Sequence, residues 1–162
     1  MMPSIKPDTA VIIDTTVARD FRNRGIGATL IGERGKFLLQ QGRVNIVSTI
    51  APWNGASLNC NLNKNCARGI RYYRDYSDAG EDRIEVRRNL LWTTTSQPWQ
   101  NEELIQIPFK NEFLSGKERG ILEELINLEG FQVTSVRRSV SSDLGCVLVL
   151  QQQMKGGDEN EV

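Results

Sequence analysis

The residues of this 162-residue chain best suited to chemistry lie in one stretch, Val17-Ala18-Arg19-Asp20-Phe21-Arg22-Asn23-Arg24-Gly25-Ile26-Gly27-Ala28-Thr29-Leu30. Two glycines alone mark only a tight turn. Here an apolar run, Ala10-Val11-Ile12-Ile13, leads in and a helix-like segment leads out. Strand, glycine-rich turn and helix together make a pyrophosphate site. The glycines let the backbone approach the ligand, and successive N–H groups at the positive end of the helix dipole hold its oxygens. Arg19, Arg22 and Arg24 add charge-assisted donors. A solvated basic patch would have the same composition, and the flanking glycines favour the ligand.

Other chemistries are excluded. The chain has no histidine, so Ser-His-Asp and Cys-His catalysis and any histidine base are out. Cys60, Cys66 and Cys146 are an odd number without a C-x-x-C pair. They read as small apolar fillers, with neither a metal site nor a structural disulfide expected. Lys+Arg and Asp+Glu both number 20. Zero net charge disfavours a nucleic-acid binder, although Arg68-Gly69-Ile70-Arg71-Tyr72-Tyr73-Arg74 is basic and aromatic. No apolar run approaches the roughly 20 residues of a membrane span. Met1–Pro7 carries no signal-peptide core, so a cytoplasmic location without membrane contact is expected.

The elements that must position the turn follow from periodicity. Residues 9–17 read as a strand and 27–41 as a helix, with Leu30 and Phe37, and Ile31 and Leu38, one heptad apart and Gly42 as C-cap. Gly32 and Gly35 mark either a close approach to the sheet or a weak helix. Alternation over 43–50 predicts a second strand, parallel to the first through a right-handed crossover. Pro52 stops it, and Asn54 caps a helix over 54–65. Strands over 66–76 and 82–92 form a hairpin around Ser77–Gly80, with Arg83, Glu85 and Arg87 on a wet face. After a polar stretch between Trp92 and Trp99 come a short strand at 104–107 and a helix from 116, capped by Ser115 and Glu118 and ended by Gly130. A hairpin around Ser141-Ser142-Asp143 and a polar, disordered tail close the chain. The fold class is α/β (α+β) with a mixed central sheet.

Val17 followed by Arg22-x-x-Gly25-x-Gly27 at a helix start resembles the coenzyme A signature of the GNAT superfamily of N-acetyltransferases. The resemblance covers about residues 9 to 92. It implies an acyl-CoA N-acyltransferase-like fold, acetyl-CoA as acyl donor, and a small-molecule or protein amine as acceptor. By the family pattern, Arg22, Asn23, Arg24, Gly25, Ile26, Gly27 and Ala28 hold the pyrophosphate, the backbone near Val17 pairs with the pantetheine arm, and Asn54 contacts it. Asp14 is a candidate base through a water.

The chain also departs from that pattern. A tyrosine usually acts as general acid in the helix after the second strand, and here Asn61 stands in its place. Tyr72, Tyr73 and Tyr76 on the next strand could substitute, Tyr72 and Tyr73 being the site candidates, with strand packing as their ordinary role. Acyl-CoA binding is therefore better supported than transfer, and a non-catalytic acyl-CoA-binding or interaction protein is the alternative. The customary N-terminal third is not recognisable. Residues 104–150, strand-helix-strand-strand, either supply it as in a circular permutation, form a second partial module, or are an appendage; truncation of the gene product is a further account. The expected organisation is a CoA-binding core over 1–95, a linker over 96–103, a segment over 104–152 packing on the core, and a tail over 153–162. The two halves need each other, within one chain or exchanged in a homodimer.

Overall fold

The computed structural model of the chain describes residues 6–76, 80–91, 99–108, 116–138 and 144–153. Their strands form a mixed sheet. Strand β1 (Thr9–Val11) is followed by helix α1 (Ile26–Gln40) and strand β2 (Asn45–Ile50). Helix α2 (Gly55–Leu58) runs on as a π-helical turn (Asn59–Asn63) into β3 (Arg68–Tyr73) and β4 (Arg83–Asn89). Strand β5 (Trp99–Pro108) precedes α3 (Gly116–Leu122), which runs on as a π-helical turn (Glu123–Leu128) into β6 (Phe131–Arg138) and β7 (Leu144–Gln153). The spatial order is β1-β2-β4-β3-β6-β7-β5. Only β1 and β2 are parallel, as the crossover requires, with Thr9 opposite Asn45 and Val11 opposite Val47.

Helix α1 ends as its sequence predicts. Arg43 N–H bonds Leu38 C=O and Gly42 N–H bonds Leu39 C=O, the paired bonds that satisfy a helix's last carbonyls. Its inner face packs on the sheet through Gly35, where a Cβ would lie 3.0 Å from Arg88 Nη1 and from Leu90 Cδ2. Close approach thus explains Gly35, whereas Gly32 has ordinary room, 3.5 Å from Asn65 Oδ1. Leu30 and Phe37 face solvent, while Ile31 and Leu38 are half-buried.

One apolar core joins both halves: Leu58, Leu62, Ile84 and Val86 from the first, Leu122, Ile126, Val133 and Leu148 from the second. The halves meet where Gly69 of β3 pairs with Val133 of β6. A Cβ on Gly69 would lie 2.8 Å from Ile84 Cγ2 and 2.8 Å from Val133 Cβ, so only glycine lets these strands close.

Several expectations are corrected. Strand β1 stops at Val11 instead of running to 17: Ile12 N–H still bonds Val47 C=O at 2.8 Å, but Ile13 is 94% exposed. The supposed wet face of β4 holds Glu85 at 3% exposure, covered because Tyr73 O–H (2.5 Å) and Arg87 Nε (2.8 Å) both donate to it. Residues 99–103, read as linker, belong to β5, which pairs along its length with β7. Residues 99–153 join the sheet at β3, the end remote from β1, so they do not supply strands beside β1 as a permutation would. The turns at 77–79 and 141–143, the Ser115 cap and residues 154–162 lie outside the described residues.

Candidate functional site: a cleft between β1 and β2

Beyond Ile12 the chain leaves β2, and a cleft of about 940 Å³ opens between them. One wall is residues 12–17 and the turn before α1, another is β2 from Ser48 to Ile50 with Ala51 just beyond it, and a third is α2 with its π-helical turn. Asn23 (φ 60°) and Gly25 (φ 79°) turn the chain into α1. The first intrahelical bond is Thr29 N–H to Gly25 C=O, 3.1 Å. The N–H groups of Ile26, Gly27 and Ala28 precede it and sit at the positive end of a 15-residue helix. All three residues line the cleft.

Side chains fix this wall. Arg22 Nε donates to Val17 C=O (3.0 Å), and Arg34 Nη1 donates to Asp14 C=O (3.2 Å) and Thr15 Oγ1 (2.9 Å). Buried Asn65 ties two walls together, its Nδ2 donating to Ala28 C=O (3.2 Å) and Cys60 C=O (2.8 Å). Arg88 Nη1 donates to Asn65 Oδ1 (3.3 Å). Burial pushes the Arg88 pKa down, with Cys66 opposing, and a guanidinium so placed stays charged. Asn54 caps α2, its Oδ1 accepting from Ser57 N–H at 3.0 Å. Asn61 Nδ2 donates to Ser57 C=O at 2.9 Å. Burial pushes the Cys60 thiol up, outweighing the attraction of Lys64, and keeps it neutral at pH 7.

The cleft brings together most of the residues expected from sequence: Asp14, Val17, Arg22, Asn23, Gly25, Ile26, Gly27, Ala28 and Asn54 all line it. Three do not. Arg24 stacks over the Phe21 ring at 5.6 Å. Tyr72 is buried, its O–H donating to Asp82 Oδ2 at 2.6 Å beside Arg119 Nε at 2.9 Å from the same oxygen. Burial first, and Asp82 second, push its pKa well above the usual tyrosine range. Tyr73 donates to Glu85, and burial and that carboxylate raise its pKa too. A phenol held this way at pH 7 is a weak acid, and neither tyrosine lines the cleft.

Sequence reasoning missed Arg34, Lys64, Arg83 and Arg88 among the lining residues. Alternation along β4 put Arg83 on a solvated face, and nothing local marks Asn65 as the clip between walls. Among the described residues no helix is long and apolar enough to cross a membrane, and no three His, Cys, Asp or Glu side chains cluster as metal ligands.

No family model matches the sequence, and no curated protein does. Solved structures do. Over 53% of its length the chain is similar to the IAA acetyltransferase from Bacillus cereus ATCC 14579, with 17% identity, a TM-score of 0.49 and 65% of that chain covered. Over 54% it is similar to the ribosomal-protein-S18-alanine N-acetyltransferase from Escherichia coli, with 19% identity, a TM-score of 0.47 and 58% of that chain covered. Over 50% it is similar to a chain of the NatC complex bound to Gag peptide and CoA, with 17% identity, a TM-score of 0.41 and 50% covered. The chain thus spans between half and two thirds of the length of these proteins. Each likeness covers about half of this chain.

Proposed function

We propose that the cleft binds an acyl-coenzyme A and that the chain transfers its acyl group to an amine. The observation that carries the reading is the cleft itself, where a parallel strand pair parts in front of the N-terminus of α1 with Gly25 at the turn. Its walls supply backbone N–H groups for a pyrophosphate and the cations Arg22, Lys64 and Arg88 for further phosphate charge. In the reaction the amine nitrogen attacks the thioester carbonyl, the C–S bond breaks, and the amide forms as the coenzyme leaves as a thiol. One proton passes from the amine, through solvent or a base, to the departing sulfur. The chain's contribution is to hold both reactants together and supply donors to the carbonyl oxygen. Asp14, exposed on the cleft wall, is the carboxylate placed to take the amine proton through a water.

A second reading, acyl-CoA binding without transfer, is favoured by one feature. Asn61 stands where a proton-donating tyrosine was expected, its amide donates to Ser57 C=O, and neither Tyr72 nor Tyr73 lines the cleft. Calorimetric titration with CoA and acetyl-CoA tests the shared part. The wild type should bind, and Gly25→Val and Gly27→Val should abolish binding. No heat at millimolar CoA would overturn both readings. Release of free thiol from acetyl-CoA over a panel of amines then separates transfer from binding alone.

A further inference from the structure

Residues 45–89 run strand, helix with π-helical turn, strand, strand, and the strand order is β2-β4-β3. Residues 99–153 run the same way, and the order is β5-β7-β6. The two units meet through β3 and β6, antiparallel, so the sheet reads the same from both ends once β1 is set aside.

The first strands, β2 and β5, are joined by a different length of chain: Ile50 and Ile105, opposite Ile84 and Leu148, are 55 apart (105 − 50). From the helix onward the equivalence holds residue by residue at one offset of 64 (133 − 69), set by the Gly69–Val133 pair where the strands cross. Leu58 and Leu122 share it, and both are fully buried. So do Leu62 with Ile126, Ile84 with Leu148, and Val86 with Leu150, all buried. Cys66 (φ 55°) and Gly130 (φ 74°) share it, each turning the chain between the π-helical turn and the strand.

Contacts between the units are reciprocal at the same offset. Asn63 Nδ2 donates to Val136 C=O (2.7 Å) and its Oδ1 accepts from Val136 N–H (3.0 Å). Asn127 Nδ2 donates to Tyr72 C=O (2.8 Å) and its Oδ1 accepts from Tyr72 N–H (2.9 Å). A twofold exchange of the units carries one pair of bonds onto the other. It also carries the approach of Gly55 to Cys146, 3.4 Å from a built Cβ to Cys146 Cβ, onto the ion pair of Arg119 with Asp82. Local sequence cannot make one offset satisfy a register pair, two side-chain latches and a set of buried positions by accident of composition.

We infer that residues 99–153 are an internal repeat of 45–89, related by a pseudo-twofold axis through the Gly69–Val133 pair, and that the repeat acts as a built-in partner subunit whose Asn63 latch positions one wall of the cleft. Asn63 ends the π-helical turn that carries Cys60 and Asn61, both cleft-lining. Its partner Val136 lies in the repeat. Asn127 makes the matching latch, but its π-helical turn lines no part of the cleft. Asn63 is thus a positioning residue, and its mate is structural only. The consequence for ligand affinity rests on the acyl-CoA reading; the positioning itself does not.

The test compares Asn63→Ala with Asn127→Ala in the full chain. Each loses two bonds to buried backbone, and Asn63 also loses an exposed bond from its Nδ2 to Asn59 Oδ1 (2.9 Å) that adds little, so each should lower Tm by about 4–8 °C and by similar amounts. Native-state maleimide labelling, located by peptide mass mapping, reads the wall directly at Cys60. Asn63→Ala should speed Cys60 labelling at least about tenfold, as expected when a local opening is eased, and Asn127→Ala should leave it within about twofold. If either variant fails to fold, Asn63→Asp and Asn127→Asp, which keep the acceptor for the strand N–H, replace the pair. Tm losses differing more than threefold would overturn the pseudo-symmetry. Equal acceleration at Cys60 in both variants would overturn the positioning role. If the wild type binds acetyl-CoA, Asn63→Ala should weaken it about tenfold with Asn127→Ala unchanged. If the wild type does not bind, the functional proposal falls and the labelling still decides this one.

Discussion

The two halves of the molecule share one architecture and differ in what is added to it. The first carries β1, the glycine-rich turn and α1 against β2, and there the cleft of about 940 Å³ forms. The second carries no counterpart of these among the described residues, and the matching groove between β5 and α3 is about 290 Å³, lined by Glu103, Leu104, Lys117, Glu118, Ile121 and Leu125. Side chains diverge in the same sense. Asn61, Gly69 and Glu85 of the first half stand opposite Leu125, Val133 and Val149 of the second. On the proposed function, ligand binding falls to the strand–turn–helix addition and to cleft-lining residues such as Asn61, while the repeated scaffold supplies burial. One coenzyme A per chain is expected, and two would break this contrast.

The largest effects should come where the halves are alike. Leu58 and Leu122 are equivalent and fully buried in one shared core. Leu58→Ala and Leu122→Ala should each cost about 2–5 kcal/mol, the removed methyl groups plus the cavity left. Urea unfolding followed by fluorescence should show one transition in both variants. Two transitions in either would mean that the halves unfold as independent units and would break the account of a shared core.

Next comes the axis. A Cβ at Gly69 meets Ile84 and Val133 at 2.8 Å, side chains on either side that are themselves fully packed. Gly69→Ala should cost about 1–3 kcal/mol by overpacking, read from the same urea midpoint. Val133→Ala should recover part of that loss by making room, which no variant remote from the axis would do.

An alkaline titration separates the halves at an equivalent pair, Asp82 in the first and Cys146 in the second. Burial pushes the Cys146 thiol up to about 11. In the unfolded chain a thiol ionises near about 8.5. The unfolded state thus gives up its proton first, and stability falls as pH rises. The contribution is fully present below about pH 8.5 and is lost by about pH 11, amounting to roughly 1–3 kcal/mol. Tyr72, raised above the tyrosine range by burial and by Asp82, adds a loss of the same sign at higher pH. Cys146→Ala should make the fall in stability between about pH 8.5 and 10 shallower, with a remainder from the raised Cys60 thiol, and leave intact the fall above about pH 10 where the raised tyrosines contribute. An unchanged slope would show that another group titrates there.

How much of this was legible in the sequence depends on how local each signal is. The turn at Gly25, the cap at Asn54, the parallel crossover and the hairpin of β3 with β4 rest on neighbouring residues, and pattern reasoning finds them. What it missed depends on partners far along the chain. Strand β1 ends early because β2 is its only neighbour among the described residues, which no run of apolar residues reveals. Glu85 looked solvated because alternation cannot see Tyr73 and Arg87 closing over it. Asn65 clips two walls through carbonyls that carry no sequence information. The repeat escaped because the units share pattern more than identity: Leu58 with Leu122 and Asn63 with Asn127 are among the few equivalent positions that match in residue type.

The smallest effect compares the two units at the position after the π-helical turn, where the backbone is left-handed in both. The second half has glycine there, Gly130 at φ 74°, and the first has Cys66 at φ 55°. A side chain in this region crowds the following carbonyl, at roughly 1 kcal/mol, and glycine escapes that cost. Gly130 has no heavy atom within 4 Å of a built Cβ, so Gly130→Ala isolates the backbone effect from packing. It should destabilise by about 1 kcal/mol. Cys66→Gly relieves the same strain in the first half but also frees the unfolded chain, so the gain is smaller, about 0.5 kcal/mol. The two substitutions should therefore move the urea midpoint in opposite directions. Two shifts of the same sign would mean that the side chain of Cys66 contributes packing its counterpart lacks, and that the units have diverged in backbone role as well as in surface chemistry.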